Sequence, residues 1–169
     1  MPAASSALRL FAFAAAAVLV GCGGSGDDGG SGAAATVVLV DQTTTASATS
    51  ATPRANWTLL HDGPTFMPTG PASVEVCAQG EWMQTVTGTA NLNFTASLAE
   101  PVDVASPAAG VAATAGQRAL GFTRCHTYSS TGTALRSTRM AFEVKQTSGA
   151  NALTDYSVSV RWIVRATYQ

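Results

Sequence analysis

Charged residues are scarce in this chain, and neither sign is in excess. Charged side chains make up 11% of the 169 residues, with nine Lys and Arg against ten Asp and Glu. Setting aside Arg9, Asp27 and Asp28, residues 33–169 carry eight of each sign. A nucleic-acid-binding domain needs a basic patch against phosphates, and charge-driven membrane binding needs a polybasic segment. The sequence therefore predicts no nucleic-acid partner and no polybasic membrane surface.

Histidine is also scarce, which limits the chemistry that the chain can offer. The two histidines are His61, beside Asp62 in a Pro-rich segment, and His126. A metal site takes three or four ligands, and no spacing here supplies them. Neither a G-x-S-x-G elbow nor a P-loop occurs. We expect no metal, no cofactor and no catalytic residue, hence a protein that is not an enzyme, with a hydrolase as the catalytic alternative.

Long hydrophobic runs are missing too, apart from one near the start. After the single charge of Arg9, an uninterrupted apolar run of 11 residues extends from Leu10 to Val20. This is too short to cross a bilayer, which takes about 20 residues. A short apolar run between a positive charge and small residues is typical of a secretory signal peptide. We assign residues 1–21 to such a peptide.

The end of that run, Leu19-Val20-Gly21-Cys22, resembles the lipobox of bacterial lipoproteins. In this family Leu stands three residues before an obligatory Cys, and Gly or Ala directly precedes it. The resemblance implies cleavage before Cys22, fatty-acyl chains such as palmitate on that residue, and a lipid anchor in the membrane. In Gram-negative members an Asp directly after the Cys tends to retain the protein in the inner membrane. Gly23 occupies that place, so the resemblance implies the outer membrane, with a periplasmic or a surface-facing orientation left open.

Residues 22–34 form a separate region by composition. From Gly23 to Gly32 every residue is Gly, Ser or Asp, which is typical of flexible linkers. Asp27 and Asp28 lack the alternating ligands and the closing Glu of a calcium loop. We expect a lipidated Cys22 and a tether up to residue 34. Residues 35–169 would then form one domain, for which no family is recognised.

This domain alternates apolar and polar residues with a period of two, the pattern of half-buried strands. The clearest series runs from Tyr156 to Gln169. Further strands are predicted over 35–40, 73–79, 85–98, 117–128 and 139–146, with 41–52 as an edge strand or a loop. No helical pattern competes. The sequence predicts an all-β fold, either an antiparallel two-layer sandwich or, as the alternative, a closed barrel.

Glycine and proline mark the expected breaks between strands. His61 to Pro71 contains three Pro and two Gly, which predicts an irregular loop that is either functional or packed as a lid. Gly80-Glu81 predicts a turn or bulge, residues 129–133 a hairpin turn, and residues 99–117 a connection.

Cysteine is limited to three residues. If lipid occupies Cys22, then Cys77 and Cys125 make an even pair in an oxidising compartment. Both fall on predicted strands, which could be neighbours or could face each other across a sandwich. We predict a structural disulfide. A nucleophilic Cys125 is not expected, because adjacent residues on a strand point to opposite faces and His126 could not readily activate it.

The expected function is therefore binding, or a structural role, in the cell envelope, with an envelope protein or a small ligand as the partner. The possible contact surface consists of the Pro-rich loop and nearby aromatic residues, namely Trp57, His61, Phe66, Met67 and Trp82. The alternative is that these aromatic residues belong to the core. A barrel that carries a small apolar ligand is the second function that remains open, and a deep apolar cavity would mark it.

Overall fold

Period-two alternation produces strands throughout the part of the chain that the computed structural model describes, which is residues 34–49, 56–86, 91–101, 116–149 and 153–169. These residues form seven strands of 10 to 16 residues. The strands are β1 (Ala35–Thr49), β2 (Asn56–Phe66), β3 (Ala72–Val86), β4 (Asn91–Glu100), β5 (Gly116–Ser130), β6 (Arg136–Ser148) and β7 (Leu153–Tyr168).

Consecutive strands always lie in different sheets. One sheet contains four strands in the order β1-β7-β3-β5, and the other contains three in the order β2-β6-β4. All pairs are antiparallel. Each connection between successive strands therefore crosses from one layer to the other. The predicted antiparallel sandwich is confirmed, and the alternative of a closed barrel is wrong because the two sheets remain separate.

The inward-facing side chains of both sheets form one core. Every second residue of the central strands is buried, as the two periodic faces require. The largest fully buried side chains are Trp82, Trp162, Phe94, Phe142, Leu92, Leu98, Met140, Val74, Val76, Val144 and Val160. The inward faces predicted for β4, β6 and β7 are therefore confirmed.

Trp82 lies at the centre of the aromatic part of this core. Its ring stacks on Tyr156 with centroids 4.9 Å apart, and lies 5.0 Å from Phe94 and 5.2 Å from Phe142. Its indole Nε1–H donates to Oε1 of the buried Gln84 at 3.0 Å. The ring thus joins β3 to β7 within its own sheet and to β4 and β6 across the sandwich. Truncating such a residue to Ala typically costs about 3–5 kcal/mol.

The prediction of an irregular loop over residues 61–71 is wrong for its first half, which belongs to β2. The strand continues to Phe66, and only residues 67–71 connect it to β3. Pro64 is tolerated because it lies on an edge strand, where the pairing register with β6 shifts between Asp62 and Thr65. Gly63 allows the same bulge to approach the core, since a Cβ there would overlap with the Trp162 ring.

Gly80-Glu81 does not form the predicted turn or bulge. Both residues pair in unbroken register with β5 and with β7. A Cβ at Gly80 would overlap with the carbonyl oxygen of Ser159. Glycine is therefore present for the close approach of two strands rather than for a change of direction.

Two further strand boundaries differ from the prediction. In both places the alternation of apolar and polar residues continues although the chain passes from one sheet to the other. The single strand expected over 85–98 is two strands, since β3 ends at Val86 and β4 begins at Asn91 in the other sheet. Residues 129–133 are not a hairpin turn, because β5 extends to Ser130 and does not pair with β6. The edge-strand alternative for residues 41–52 is confirmed as far as Thr49.

The disulfide joins neighbouring strands of one sheet. Cys77 of β3 is directly opposite Cys125 of β5, with the sulfur atoms 2.06 Å and the Cα atoms 4.1 Å apart. Both lie on the outer face, because the residues on either side of Cys77, Val76 and Ala78, face the core. The predicted bridge is confirmed. It ties the edge strand β5 to the sheet from the solvent side.

Cys22 and the rest of the residues predicted as signal peptide and lipobox lie outside the described residues, as does all of the predicted tether except Ala34. Within the described ranges, no helix is long and apolar enough to cross a membrane. The first described strand begins at Ala35.

Replacing both Cys77 and Cys125 with Ala should lower the free energy of unfolding. The bridge closes a loop with a sequence separation of 48, and chain entropy assigns such a loop about 4 kcal/mol. Urea unfolding monitored by tryptophan fluorescence would measure the difference, with about 2–4 kcal/mol expected. A reductant should destabilise the parent protein and leave the double variant unchanged. A double variant as stable as the parent would contradict the structural role.

Candidate functional site

The residues predicted as a contact surface do not form one surface. Trp82 and Phe66 are 1% and 5% exposed and belong to the core, and His61 is 6% exposed. Met67 is 54% exposed, in the loop after β2. Trp57 lies on β2, and its side chain is outside the described residues. For Phe66 and Trp82, the alternative that they are core residues is therefore correct.

The inward position of Trp82 follows from the alternation on β3. The buried residues Val74, Val76, Ala78 and Trp82 all occupy even positions of one continuous strand, with the half-buried Gly80 between the last two. The sequence predicted a turn at Gly80, and a turn would have ended the alternation before Trp82. The inward position of Trp82 was therefore not predicted. Likewise, the sequence predicted a loop where β2 continues, so the burial of His61 was not predicted.

His61 takes part in a hydrogen-bonded bridge between the two sheets. The indole Nε1–H of Trp162, on β7, donates to Thr44 Oγ1, on β1, at 2.8 Å. Thr44 Oγ1 lies 2.8 Å from His61 Nε2, on β2. Because the hydroxyl already accepts from Trp162, its own proton is free to be donated to an unprotonated Nε2. These two hydrogen bonds link the sheets along the side of the sandwich where β1 and β2 meet.

Burial favours the neutral form of His61. Removal from water lowers the pKa of the imidazole, and the nearby negative charge of Asp62 acts in the opposite direction without overcoming it. Asp62 lies on the outer face, where Arg139 Nε donates to its Oδ1 at 2.6 Å. Within the described ranges, neither His61 nor His126 forms an ion pair with a carboxylate.

Ion pairs organise the outer faces of both sheets. Arg161 donates through Nε and Nη2 to the two carboxylate oxygens of Asp41 at 2.8 and 2.7 Å. This contact holds the pKa of Asp41 below its usual value, chiefly through the hydrogen bond. Arg165 donates to Glu75 at 2.8 Å, and Arg139 contacts both Asp62 and Glu100. Because these pairs are exposed to solvent, each contributes little to the free energy of unfolding.

A shallow polar depression lies on the outer face of the four-stranded sheet. Its volume is about 630 Å³, and it extends over all four strands. Gly121 leaves it open, because a Cβ there would lie no closer than 4.0 Å to a neighbouring atom. A smaller depression of about 380 Å³ adjoins it and shares Glu81 and Ser159. The polar lining of the first consists of Thr43, Gln79, Glu81, Thr123, Ser159 and Arg161.

This depression offers hydroxyl, amide, carboxylate and guanidinium groups to a polar ligand or a peptide. The sequence alone does not reveal it, because its residues look like the ordinary polar faces of four separate strands. They become neighbours only through pairings such as Gln79↔Arg161 and Gln79↔Thr123. Among the described residues, no group of three or more His, Cys, Asp or Glu side chains is placed to hold a metal ion.

Comparisons with known proteins leave the family open. No protein-family model matches the chain, and no curated protein matches it in sequence. Among solved structures, the Gx strain of infectious bursal disease virus matches at 15% identity and a TM-score of 0.29, over 80% of this chain and 32% of the viral chain. The Gt strain matches at 15% identity and a TM-score of 0.28, over 82% and 34%. The chain thus spans about a third of these viral chains, and no functional argument rests on the likeness.

Lowering the pH through the range just below 6.5 should destabilise the protein through His61. The folded state holds the pKa of His61 below the unfolded value of about 6.5, so the unfolded chain binds the proton more readily. This contribution is complete above pH 6.5 and is lost as the pH falls toward the folded pKa. Urea unfolding at several pH values between 5 and 7 would measure the slope, which cannot exceed about 1.4 kcal/mol per pH unit for one proton.

His61→Gln provides the matched variant, because its side-chain amide keeps a hydrogen-bonding group near Thr44 without titrating. The slope attributed to His61 should disappear in this variant and persist in His126→Gln. An unchanged slope in His61→Gln would show that another group causes it.

Proposed function

We propose that this chain is a bacterial lipoprotein whose sandwich is held at the outer membrane through acylated Cys22. The observation that carries this proposal is the lipobox at the end of the only long apolar run, Leu19-Val20-Gly21-Cys22. In this interpretation residues 1–21 are removed and residues 22–34 tether the domain. The Cys77–Cys125 disulfide supports export, since such bridges persist in oxidising compartments such as the bacterial periplasm.

The domain itself would act by binding or as an envelope component, without catalysis. A hydrolase would need a histidine held by a carboxylate in a cleft. Instead, His61 bonds to Thr44 between the sheets, and its neighbour Asp62 bonds to Arg139 on the outer face. His61 is thus bonded between the sheets and Asp62 is paired with Arg139 on the surface, so the two side chains do not bond to each other.

The packing of the core also favours a binding surface over an internal carrier site. A small apolar ligand needs an apolar cavity of about 300–1,000 Å³. In the described part of the sandwich, this region is occupied by aromatic rings whose centroids lie 4.9–5.8 Å apart. We therefore place partner binding on the outside, at the depression around Gly121.

Replacing Cys22 with Ser should release the protein from membranes. Without the thiol no diacylglyceryl group can be attached, and two or more acyl chains are what make a lasting anchor. Ultracentrifugation of cell envelopes and incorporation of labelled palmitate would test this. Membrane partitioning and label that remain unchanged in Cys22→Ser would refute lipidation.

Position 23 supplies a matched control for the choice of membrane. Gly23→Asp should leave acylation intact and shift the protein to the inner membrane, as the lipoprotein resemblance implies, whereas Gly23→Ser should not. Density-gradient separation of the two membranes would show the shift. Parent protein found with the inner membrane would contradict the assignment to the outer membrane.

Filling the depression should abolish capture of an envelope partner. Gly121→Gln places a side chain into the open volume, and the surroundings of Gly121 leave room for it. Cross-linking in envelope extracts, with purified parent and variant proteins as bait, would reveal partners lost on substitution. Thr58→Gln, an exposed position on the outer face of the other sheet, is the control. Capture that survives Gly121→Gln but fails with Thr58→Gln would move the binding surface to the three-stranded sheet.

A further inference from the structure

One end of the sandwich gathers the point where the domain begins and two of its loops. β1 begins there at Ala35, which pairs with Tyr168 at the end of β7. The loop from β2 to β3, residues 67–71, and the loop from β5 to β6, residues 131–135, lie at the same end. The first loop is fastened to β7, because the backbone N–H of Thr69 donates to Tyr168 Oη at 3.0 Å. We call this the β1-start end.

Two exposed apolar residues lie just beyond the last pair of the β2–β6 ladder, at the β1-start end. Phe66 of β2 pairs with Arg136 of β6 in antiparallel register. Met67 directly follows Phe66 and Leu135 directly precedes Arg136, so the ladder brings both residues to this end of the sandwich. They are 54% and 67% exposed. Large apolar residues exposed at the same end of a domain are typical of a contact surface.

The other exposed apolar residues show that this concentration is local. Val37 and Val38 are 46% and 56% exposed and lie within four residues of the start of β1. Among the large hydrophobic residues described as exposed, only Leu60, at 56%, lies away from this end, on the outer face of the three-stranded sheet. The broad faces instead carry paired charges such as Asp41–Arg161.

A cation completes the surface. Arg136 is exposed and directly follows Leu135. Within the described ranges it forms no ion pair. A guanidinium beside apolar side chains fits the boundary between lipid phosphates and acyl chains, where apolar groups enter the membrane and the charge stays with the phosphates.

We propose that the β1-start end, through Met67, Leu135 and Arg136, rests on the phospholipid surface that holds acylated Cys22. This inference rests on the proposed lipid anchor. It adds an orientation: the sandwich stands on the membrane and presents the depression around Gly121 sideways.

The length of the connecting chain favours this orientation. Residues 23–34 can span at most about 42 Å when fully extended, whereas β1, with 15 residues, is about 50 Å long. With its far end on the membrane, an upright sandwich would hold Ala35 about 50 Å above the surface, which is farther than the connection can reach. A short connection also keeps the near end at an effective concentration in the millimolar range, so even a weak surface affinity maintains contact.

The test measures how fast Met67 is oxidised in the full-length lipidated protein on vesicles of phosphatidylethanolamine and phosphatidylglycerol. Chloramine-T serves as the oxidant because it is charged and stays in water, and mass spectrometry quantifies the sulfoxide. Relative to soluble Cys22→Ser protein, oxidation of Met67 should slow at least about threefold, as a contact present two thirds of the time would cause. In the Leu60→Met variant, the introduced side chain has a similar exposure at a different place and should show no protection.

Variants at the surface separate lipid contact from general shielding. Leu135→Ser should reduce the protection of Met67, and Leu60→Ser should not. If the protein floats with the vesicles while Met67 is oxidised as fast as in solution, the orientation is wrong and the lipoprotein proposal stands. If it does not float, both fail. Protection in native envelopes but not on pure lipid would assign the end to a protein partner and overturn the lipid contact.

Discussion

The packing of Trp82 against rings from both layers is the interaction on which the rest of the structure depends. No strand pairs with its neighbour in sequence, so neither sheet can form from one continuous piece of chain. Each depends on the buried interface to hold distant segments together, as when β1 meets β7 at the opposite end of the chain. The Trp82 ring, in contact with Tyr156, Phe94 and Phe142, supplies that interface. Separating the layers would expose the apolar faces of both sheets together.

Polar contacts close the two sides of this interface. At the β1–β2 side, hydrogen bonds from Trp162 through the half-buried Thr44 to His61 satisfy two buried side chains and cross between the layers. At the opposite side, Arg124 Nε donates to the carbonyl oxygen of Ala96 at 3.2 Å, which links β5 to β4. The Cys77–Cys125 bridge then fastens β5 from outside. His61, Cys77 and Cys125, which could in principle be reactive, thus hold the fold together.

Because side chains of the two sheets pack together in the described core, the proposed binding is assigned to the outer surfaces. Those surfaces are not uniform. The broad faces carry exposed ion pairs and a polar depression, whereas the apolar residues Met67 and Leu135 lie together at the end where β1 begins. A domain attached through that end would place its polar faces toward soluble partners and its apolar tip toward lipid. In the proposed arrangement, the polar faces would bind soluble partners and the end that carries Met67 and Leu135 would contact lipid.

The sequence by itself determined the secondary-structure class, the inward residues of β4, β6 and β7, and the pairing of Cys77 with Cys125. Each is a local consequence of period-two geometry or of counting thiols. Only the tertiary structure decided where β3 ends, that Gly80 and Gly63 serve close packing rather than turns, and that Trp82 and His61 are buried. It also decided which polar residues surround Gly121 and that Met67 and Leu135 are exposed at the same end of the sandwich. Alternation specifies the two faces of a strand but not its partner, and those features depend on which distant strand lies alongside.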